Sequence, residues 1–519
     1  MRPVDARAQL RYNGTNFKCD DEGEKMNYRD LLTEEEILEV RNGDRTEAIT
    51  DVAYDSRRVG PGAMFVAIFG FATDGHRFVE AAIEQGAAVI VHQADLARYH
   101  DDVVYLKVTD CRRLLGHIAS RFFGHPSEKI TVTGITGTNG KTSSTYFLTG
   151  ILRAAGKKCA RMGTIDNQIG DAVLDNKGRT TSESRDTQAF IAEAVAAGCS
   201  DLVMEASSQA LDLDRLTDVH FDYALFTNLT QDHLDYHKTF EAYFEAKARL
   251  FDQTEKAAII NRDDPWGRKL INRIRERHPK LKIITYGEDP AADYRLSAVD
   301  CTTGGSTFTL QAGDEKETIF LDVLGRFMVY NAVGTIIAAR EQGIDWAAIK
   351  AALADAPVVE GRMERIKTNL DFDIVVDYAH TPDALENLLK TVKELARGRV
   401  IAVFGCGGDR DHGKRPLMGA IAAKEADFSV LTSDNSRSED PEAILDDIEA
   451  AVRPITDQYT RIADRREATV YALTHARKDD VVIFAGKGHE KTETSRNGVR
   501  PYYEKAVILD VIEQEKIGK

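Results

Sequence analysis

The sequence lacks closely spaced cysteines. Its six cysteines are scattered single residues: Cys19, Cys111, Cys159, Cys199, Cys301 and Cys406. None stands in a Cys-x-x-Cys pair or at the Cys/His spacing that holds structural zinc. Isolated cysteines are typical of free thiols in a reducing compartment, because disulfides persist mainly in oxidising ones. We therefore predict a cytoplasmic protein without a zinc site.

Long apolar runs are also absent. No stretch of about 18 uncharged apolar residues occurs, so we predict no membrane-spanning helix. The segment 1–25 has no apolar core of the kind found in signal peptides. It is polar and aperiodic, and a second methionine, Met26, follows it. Residues 1–25 are therefore predicted to be either a disordered extension or an over-extended start.

The chain has fewer basic than acidic residues. The chain has 68 Lys and Arg residues against 84 Asp and Glu residues, which gives a formal net charge of −16 at pH 7. Such an acidic chain is disfavoured as a non-specific nucleic-acid binder, since the phosphate backbone repels it. Anionic small molecules are still compatible with this charge, because a helix N-terminus or an arginine dominates the field inside a cleft. Nucleic acid is therefore not a predicted partner.

Several domains are predicted from the length and pattern of the chain. At 519 residues it exceeds what a single hydrophobic core supports. Short apolar strands alternate with helical segments, which is typical of doubly wound parallel sheets, although the stretch 281–325 predicts antiparallel hairpins. The predicted divisions are the extension at 1–25, a smaller N-terminal α/β domain at 26–127, a central parallel-sheet domain at 128–356 and a C-terminal Rossmann-like α/β domain at 357–519.

The segment GITGTNGKT at 134–142 predicts a phosphate-binding loop. Glycines let backbone N–H groups turn around phosphate oxygens, and the helix that follows adds the positive end of its dipole. Lys141 would then reach the terminal phosphates of a nucleoside triphosphate, and the Thr142 hydroxyl would ligate Mg²⁺. The strict motif spacing would place a glycine at 135, where Ile135 stands. A structural turn is the alternative, but the β-branched strand before it and the helical sequence after it favour a phosphate site.

Two later strand ends carry potential metal ligands. Glu205 closes the apolar run DLVME, and Asp232 and His233 follow the run YALF. A carboxylate and an imidazole near a phosphate loop suit a divalent metal, although Mg²⁺ prefers oxygen ligands. Taken singly, Glu205 could be a helix cap or a solvated acid, and His233 an ordinary loop histidine. Taken together after successive strands, they predict one metal site or two.

Lys247 is unusual because it interrupts an apolar helical face in YFEAKARLF. The simplest interpretation is a snorkelling lysine whose amine reaches water. The other is a partly buried lysine with a lowered pKa that reacts with CO₂, so that a cation becomes an anionic carbamate ligand. The pattern alone leaves both interpretations open.

Taken together with motifs further along, these segments make the chain resemble the Mur ligase family over residues 27–515. The motifs that carry the resemblance are TGTNGKTS, NLTQDHLDYH, YNAVG, GRMERI, DYAHTPDAL, GGDRDHGKRPLMG and GKGHE. The resemblance implies an ATP-dependent amide ligase of peptidoglycan precursor synthesis. It further implies that meso-diaminopimelate is joined to the D-glutamate carboxylate of UDP-N-acetylmuramoyl-L-Ala-D-Glu through an acyl phosphate, in a monomeric enzyme.

The resemblance also implies roles for individual residues. The implied ATP-binding residues are Gly137, Thr138, Asn139, Gly140, Lys141, Thr142, Asn331, Arg362 and Asp377. The implied ligands of Mg²⁺, expected as two ions, are Thr142, Glu205, His233 and Lys247 as its carbamate. The catalytic set comprises Lys141, Glu205, His233 and Lys247. The implied contacts of the UDP-muramoyl-dipeptide are Ser56, Arg57, Thr180, Thr181, Ser207 and Arg215.

The incoming amino acid is expected at the segment DNSR, residues 434–437. The implied pocket comprises Asp434, Asn435 and Arg437 together with Arg410, Gly486 and Glu490. An arginine fork that pairs with a carboxylate favours a diamino diacid over lysine. An exposed turn is the alternative for this segment. Three positions depart from the usual family pattern: Ser436 and Ser182 replace prolines, and Gln209 replaces a histidine.

Other functions compete with this interpretation. A family paralogue could ligate another amino acid such as L-lysine, or act on another acceptor. Folylpolyglutamate synthetase is disfavoured because DSRRVGPGAMFVA resembles a uridine-diphosphate cradle. A mechanical or regulatory P-loop NTPase would leave GRMERI, DYAHTP and GKGHE unexplained. A non-catalytic binding protein is disfavoured because Lys141, Glu205, His233, Lys247 and Asp377 are all present.

Overall fold

Strands and helices alternate along most of the chain. The computed structural model describes residues 26–518 except 46–47, 71–72, 177 and 303. The predicted extension at 1–25 lies outside the described residues. The α/β fold class is confirmed, with several parallel sheets. In the described part, no helix has both the length and the apolar character needed to cross a membrane, and the five described cysteines are free thiols.

The elements are numbered in chain order. The strands are β1 (Ile37–Arg41), β2 (Val52–Ala53), β3 (Met64–Val66), β4 (Val89–His92), β5 (Val104–Val108), β6 (Thr131–Thr136), β7 (Cys159–Met162), β8 (Asn167–Ile169), β9 (Ala172–Leu174), β10 (Asp201–Glu205), β11 (Phe221–Phe226), β12 (Thr254–Asn261), β13 (Lys282–Gly287), β14 (Tyr294–Thr302), β15 (Gly305–Ala312), β16 (Glu315–Leu321), β17 (Glu364–Arg365), β18 (Asp373–Asp377), β19 (Val400–Phe404), β20 (Phe428–Leu431), β21 (Tyr459–Arg461), β22 (Val481–Ala485), β23 (Thr492–Ser495) and β24 (Gly498–Pro501). The helices are α1 (Tyr28–Leu31), α2 (Val79–Glu84), α3 (Cys111–Phe122), α4 (Lys141–Ala154), α5 (Ser184–Ala196), α6 (Ser208–Asp212), α7 (Leu234–His237), α8 (Phe240–Asp252), α9 (Pro265–Arg277), α10 (Arg326–Glu341), α11 (Trp346–Ala354), α12 (Pro382–Leu395), α13 (Lys414–Glu425), α14 (Pro441–Val452), α15 (Arg465–His475) and α16 (Glu504–Gln514).

Two compact units make up the described chain. The first comprises residues up to 136, 156–224 and 246–257. The second comprises residues 137–155, 225–245 and those from 258 onward. The three domains drawn from the sequence remain a prediction.

The first unit contains a five-stranded sheet in the order β1-β5-β4-β3-β2. Its strands pair in parallel except β1, which runs antiparallel to β5. The apolar side of α3 covers this sheet, and Cys111, Leu115 and Ile118 are buried in the core. In the same unit β10 pairs in parallel with both β6 and β7. The predicted parallel pattern is therefore confirmed here, whereas the antiparallel hairpin β8–β9 was not predicted.

The second unit contains a six-stranded sheet in the order β17-β18-β22-β19-β20-β21. The strands from β18 to β21 are parallel, and β17 is an antiparallel edge. Val403, Val430 and Val482 are among the side chains that fill its core. Because parallel strands end at one edge, the loops after β18, β19, β20 and β22 gather there, which is where ligands are expected.

The stretch 281–325 follows its prediction in part. Strands β14, β15 and β16 form an antiparallel meander, as predicted. Strand β13 instead pairs in parallel with β14, through Tyr286 and Gly287. The prediction of antiparallel pairing is therefore wrong for β13, because the segment 288–293 brings the chain back beside the end of β13 in the same direction.

A buried ion pair ties the second unit's last helices to its sheet. Arg465 and Glu504 are both fully buried, and Arg465 Nε donates to Glu504 Oε2 at 2.8 Å. Arg465 Nη1 also donates to the carbonyl of Ser433, and Nη2 to the carbonyl of Ala485. Those carbonyls lie just beyond β20 and at the end of β22. One side chain therefore fixes two neighbouring loops at the edge where ligands are expected.

We expect Glu504→Gln to destabilise the second unit, because a buried charge that loses its partner costs about 3–5 kcal/mol. The urea midpoint of unfolding measures this effect. Asp510→Asn is the matched control, since its pair with Arg466 is half exposed and should cost less than about 1 kcal/mol. Equal shifts of the two midpoints would contradict a structural role for the buried pair.

Candidate active site

The glycine loop connects the end of β6 to the start of α4. Gly137 and Gly140 both have positive φ angles, 153° and 88°. A Cβ atom on Gly137 would lie 1.9 Å from Thr227 Oγ1, and one on Gly140 would lie 2.1 Å from Asn331 Oδ1. Conformation and space thus both require glycine at these two positions. The loop backbone is brought directly against Asn331, a predicted ATP-binding residue.

The segment after β11 holds the loop in place. Thr138 N donates to the Asn228 carbonyl, and Asn139 N donates to Asn228 Oδ1, both at 2.9 Å. Thr227 Oγ1 donates to the Asn139 carbonyl at 2.7 Å. Lys141 Nζ folds back over the loop and donates to two of its carbonyls, each at 2.8 Å. These bonds fix the shape of the loop and occupy the N–H groups of Thr138 and Asn139. Phosphate binding by the loop and Lys141 remains a prediction.

A cavity of about 390 Å³ opens beside this loop. Five of the predicted ATP-binding residues line it together: Asn139, Gly140, Asn331, Arg362 and Asp377. Its size is typical of small-molecule sites. Several other residues that line the cavity were not predicted from the sequence, among them Asn228, Asn261, Phe327, Tyr378, His380 and Asp383.

The charged groups in this cavity are held by the chain around them. The Arg362 guanidinium lies 4.7 Å from the centre of the Tyr378 ring, and Arg362 Nη2 donates to Thr142 Oγ1 at 3.4 Å. The Asp377 carboxylate accepts two backbone N–H groups, each at 2.7 Å. Burial raises the pKa of Asp377, and Arg362 partly offsets this effect. Burial together with nearby Lys414 lowers the pKa of His380 to about 4, so its imidazole is neutral at pH 7.

The predicted metal ligands are distributed over both units. In the first unit the fully buried Glu205 carboxylate accepts from Thr164 N at 2.8 Å and from Thr164 Oγ1 at 3.0 Å. In the second, His233 has a positive φ angle of 54° directly before α7, and Nε2 lies 3.3 Å from Asp232 Oδ2. No group of three His, Cys, Asp or Glu side chains that could hold a metal occurs among the described residues. The predicted donors are a hydroxyl, a carboxylate and an imidazole with a carbamate, a mostly oxygen set that fits Mg²⁺.

Lys247 lies in the middle of α8 and is only 1% exposed. Its amine therefore does not reach solvent as that of a snorkelling lysine would. Carbamate formation requires the lysine amine in its unprotonated form. The carbamate itself remains a prediction.

Four of the residues predicted to hold the muramoyl-dipeptide converge at the end of β10. Thr181 Oγ1 donates to the Glu205 carbonyl at 2.8 Å and accepts from Ser207 N at 3.3 Å. Arg215 Nη1 donates to the Thr181 carbonyl at 3.3 Å. The hydroxyl of Thr180 lies 3.1 Å from that of Thr164, which also bonds Glu205. A predicted metal ligand and predicted substrate contacts thus share one corner of the first unit.

The two remaining contacts lie in the 3₁₀ helix Ser56–Arg58. Ser56 is buried. Arg57 has an 86% exposed side chain that pairs with Asp55 at 2.6 Å. An exposed arginine held by its own turn is available to a solvent-borne anion, and its role remains a prediction.

The residues predicted to bind the incoming amino acid form one cluster at the ends of β20 and β22. Asn435 Nδ2 donates to Glu490 Oε2 at 2.7 Å. A Cβ atom on Gly486 would lie 2.6 Å from Asp434 Oδ2, so this glycine allows close packing there. Arg437 Nη1 donates to the Gly408 carbonyl at 2.8 Å, which leaves its other two nitrogens out of that bond.

The cluster also contains Arg410 and charged groups whose pKa values are shifted. A Cβ atom on Gly407 would lie 2.8 Å from Arg437 Nη1, so this glycine leaves space for that side chain, whereas Arg410 Cγ would be in ordinary contact at 3.9 Å. Burial raises the pKa of Glu490, and Asp434 adds to this effect. Asp434 is also buried, but Lys487 and Arg465 outweigh burial and lower its pKa. Lys487, from the motif GKGHE, is a member of this cluster that the sequence analysis did not single out.

Comparison with known proteins supports one family. Three family models match the chain: Mur ligase family, catalytic domain at residues 48–123; Mur ligase middle domain at 135–339; and Mur ligase, glutamate ligase domain at 361–488. A Caldanaerobacter subterraneus protein named UDP-N-acetylmuramoyl-L-alanyl-D-glutamate--2,6-diaminopimelate ligase is 44% identical over 469 residues, 90% of this chain and 96% of the relative. The chain belongs to the Mur ligase family.

One further relative and two solved structures are also similar to this chain. A Clostridioides difficile protein of the same name is 41% identical and covers 90% of this chain and 95% of its own length. A solved structure of an enzyme with that name superposes with a TM-score of 0.67 at 31% identity, over 95% of this chain and all of the other. A MurF ligase from Thermotoga maritima in complex with ADP has a TM-score of 0.58 at 19% identity, over 90% of this chain and 97% of the other. This last likeness concerns the fold alone.

The fit of the glycine loop to Asn331 can be tested with a matched pair of variants. In this Mur ligase we expect Gly140→Ala to raise the KM for ATP at least about tenfold, because the new Cβ displaces Asn331 or the loop. Gly156→Ala is the control, since Gly156 has a similar φ angle of 79° but no atom within 4 Å of the added Cβ. Equal KM values for ATP in the two variants would show that steric fit to Asn331 is unimportant.

Proposed function

We propose that this chain is the ATP-dependent ligase that adds meso-diaminopimelate to the D-glutamate carboxylate of UDP-N-acetylmuramoyl-L-alanyl-D-glutamate. The observation that carries the proposal is the match, over nine-tenths of the chain, to relatives named for that ligation. A preformed phosphate loop and a separate pocket rich in arginine and carboxylate support it. We also propose a monomer that acts in the cytoplasm; the free thiols of the five described cysteines support a reducing compartment.

The chemistry requires activation of a carboxylate. A carboxylate is a poor acyl donor, so one of its oxygens attacks the γ-phosphorus of ATP, the bond to ADP breaks, and an acyl phosphate forms. The unprotonated amine of diaminopimelate then attacks the acyl carbon. The tetrahedral intermediate collapses as the carbon–oxygen bond to phosphate breaks. One amide bond, ADP and inorganic phosphate are the products.

In the proposed enzyme, the second unit's glycine loop orients the nucleotide. The N-terminus of α4 would face the phosphates, and Lys141 would offset their charge as it shifts to the leaving ADP. Arg362 donates a hydrogen bond to the Thr142 hydroxyl in the first turn of α4 and would add a second cation beside the phosphates. Positioning of this kind, rather than covalent chemistry, supplies most of the catalysis of phosphoryl transfer.

Thr142, Glu205, His233 and carbamylated Lys247 would hold Mg²⁺. Bound there, Mg²⁺ would neutralise negative charge on the phosphoryl oxygens. The Glu205 carboxylate is already oriented by Thr164, so little rotation would be lost on binding. A buried carbamate on Lys247 would replace one positive charge by one negative charge among these groups.

The acceptor and the amine donor would be held by different residues. Thr180, Thr181, Ser207 and Arg215 cluster next to Glu205 and would position the dipeptide carboxylate. Arg410 and Arg437 carry donors suited to the distal carboxylate of diaminopimelate. Glu490 carries an acceptor suited to its distal ammonium. Such a division favours a diamino diacid over L-lysine, which lacks the second carboxylate.

The direct test is phosphate release from ATP in the presence of UDP-N-acetylmuramoyl-L-Ala-D-Glu, screened across amino acids. We expect release only with both substrates present, and fastest with meso-diaminopimelate. Release that is fastest with L-lysine would assign the chain to the lysine-adding alternative. Release independent of the acceptor would overturn the ligase proposal.

Lys247→Ala tests the carbamate. We expect loss of ligation by about a hundredfold or more, because the anionic ligand disappears. Short carboxylates such as formate or acetate should restore part of the rate, as they can occupy the vacated position. Lys256→Ala is the control, since this lysine on β12 is half exposed. Full activity of Lys247→Ala, or no recovery with carboxylates, would contradict the carbamate role.

Arg437→Ala tests the amino-acid pocket. We expect the KM for diaminopimelate to rise at least about tenfold, because a charge-assisted pair with its carboxylate is lost. The KM for ATP should stay within about twofold of wild type. Such a change is well below the factor of ten, or about 1.4 kcal/mol, expected for the KM for diaminopimelate. Arg496→Ala, at the exposed turn between β23 and β24, is the control. Equal increases in the two KM values would remove Arg437 from the pocket.

A further inference from the structure

Lys487 is buried beneath the proposed amino-acid pocket, directly after β22. Its side chain is 0% exposed. Its ammonium donates to three acceptors: Asn435 Oδ1 at 2.9 Å, the Thr492 carbonyl at 3.0 Å and Glu490 Oε2 at 3.4 Å. An ammonium group has three N–H bonds, so all three are used. Lys487 therefore has no donor left for a substrate.

The contacts of Lys487 fix which way the Asn435 side-chain amide points. Two donors converge on Asn435 Oδ1, Lys487 Nζ at 2.9 Å and Thr494 N at 2.8 Å. Neither donor can bond an NH₂ group, so the oxygen must face inward and Nδ2 must face Glu490. Both lone pairs of the carbonyl are then occupied. Asn435 can offer a ligand only an N–H group.

Lys487 also balances the two carboxylates of the pocket. Its ammonium lies 3.4 Å from Glu490 Oε2 and 4.0 Å from Asp434 Oδ1. Without this charge, the buried Asp434 carboxylate and the partly exposed Glu490 carboxylate would repel each other, and one of them would bind a proton. Glu490 would then lose the negative charge that suits it to an ammonium group.

The backbone that carries Lys487 is held in place by Arg465. The residue two positions before Lys487, Ala485, gives its carbonyl to the buried Arg465. Arg465 holds the Ser433 carbonyl on the neighbouring loop in the same way. Lys487 and Asn435 are therefore fixed relative to each other by the same arginine, as preorganised recognition requires.

We infer that Lys487 is a positioning residue that makes the pocket selective for an amino acid with a second carboxylate. It presents Asn435 as a pure hydrogen-bond donor beside Arg437, and Glu490 as a charged acceptor. A distal carboxylate satisfies the donors, and a distal ammonium satisfies the acceptor. A substrate without the carboxylate leaves the donors unpaired, which is the strongest form of rejection that a polar site achieves. This inference rests on the proposed function.

The test is the ratio of kcat/KM for meso-diaminopimelate to that for L-lysine, in wild type and in Lys487→Met. The variant keeps a side chain of similar length but loses one of the two donors to Asn435 Oδ1 and the cation between Asp434 and Glu490. Thr494 N–H alone then orients the Asn435 amide, which is held less firmly. We expect the KM for diaminopimelate to rise and the ratio to fall, each by at least about tenfold, while the KM for ATP stays within about twofold. Lys491→Met, with a largely exposed lysine on the same loop, should leave the ratio unchanged.

Lys487→Gln separates positioning from folding. Its amide restores one donor toward Asn435 without a charge, so the ratio should recover in part relative to Lys487→Met. If Lys487→Met does not fold, Asn435→Asp decides: its second oxygen replaces the donor, and the ratio should fall by at least about tenfold. An unchanged ratio in a folded Lys487→Met or in Asn435→Asp would overturn the inference while leaving the ligase proposal intact. Wild type that does not ligate diaminopimelate would overturn the ligase proposal and this inference with it.

Discussion

The proposed nucleotide site depends on the close packing of the glycine loop against Thr227 and Asn331. No side chain fits at Gly137 or Gly140, because each Cβ would overlap an oxygen atom about 2 Å away. This contact brings the loop's N–H groups, the side of α10 and the polar end of β18 to one cavity. The phosphate loop is therefore more than a local motif, since its shape is completed by residues far away in the sequence.

A second constraint operates at the edge of the six-stranded sheet. Arg465 and Lys487 are fully buried cations, and each is satisfied by acceptors of the loops around it. Buried charges are costly unless they are paired and hydrogen-bonded, so a chain that retains them fixes the geometry of their partners. These two side chains hold the loops of Asn435 and Glu490 in place. In the proposed amino-acid pocket, these two cations therefore position the lining residues from beneath, and we propose that neither touches the substrate.

The sequence predicted the parts whose signal is local. The glycine loop, the end of β10 at Glu205 and the helix around Lys247 each have a pattern within a dozen residues, and each stands where it was predicted. The resemblance supplied Asn331, Arg362 and Asp377, which do line one cavity. Asn139 was predicted, but its hydrogen bond to Asp383 was not, because that bond joins residues 244 positions apart. The hairpins β8–β9 and β23–β24 were not predicted either, because strands of three or four residues are too short to show a clear alternation of apolar and polar side chains.

An isotope measurement tests whether the γ-phosphoryl group of ATP activates the D-glutamate carboxylate. Activation of this kind requires an oxygen of the D-glutamate side chain to leave with the phosphoryl group, because that oxygen becomes the bridging atom of an acyl phosphate. With ¹⁸O in that carboxylate, the inorganic phosphate released during ligation should carry one labelled oxygen. Phosphate without label, or label recovered in a nucleotide monophosphate, would contradict activation by γ-phosphoryl transfer.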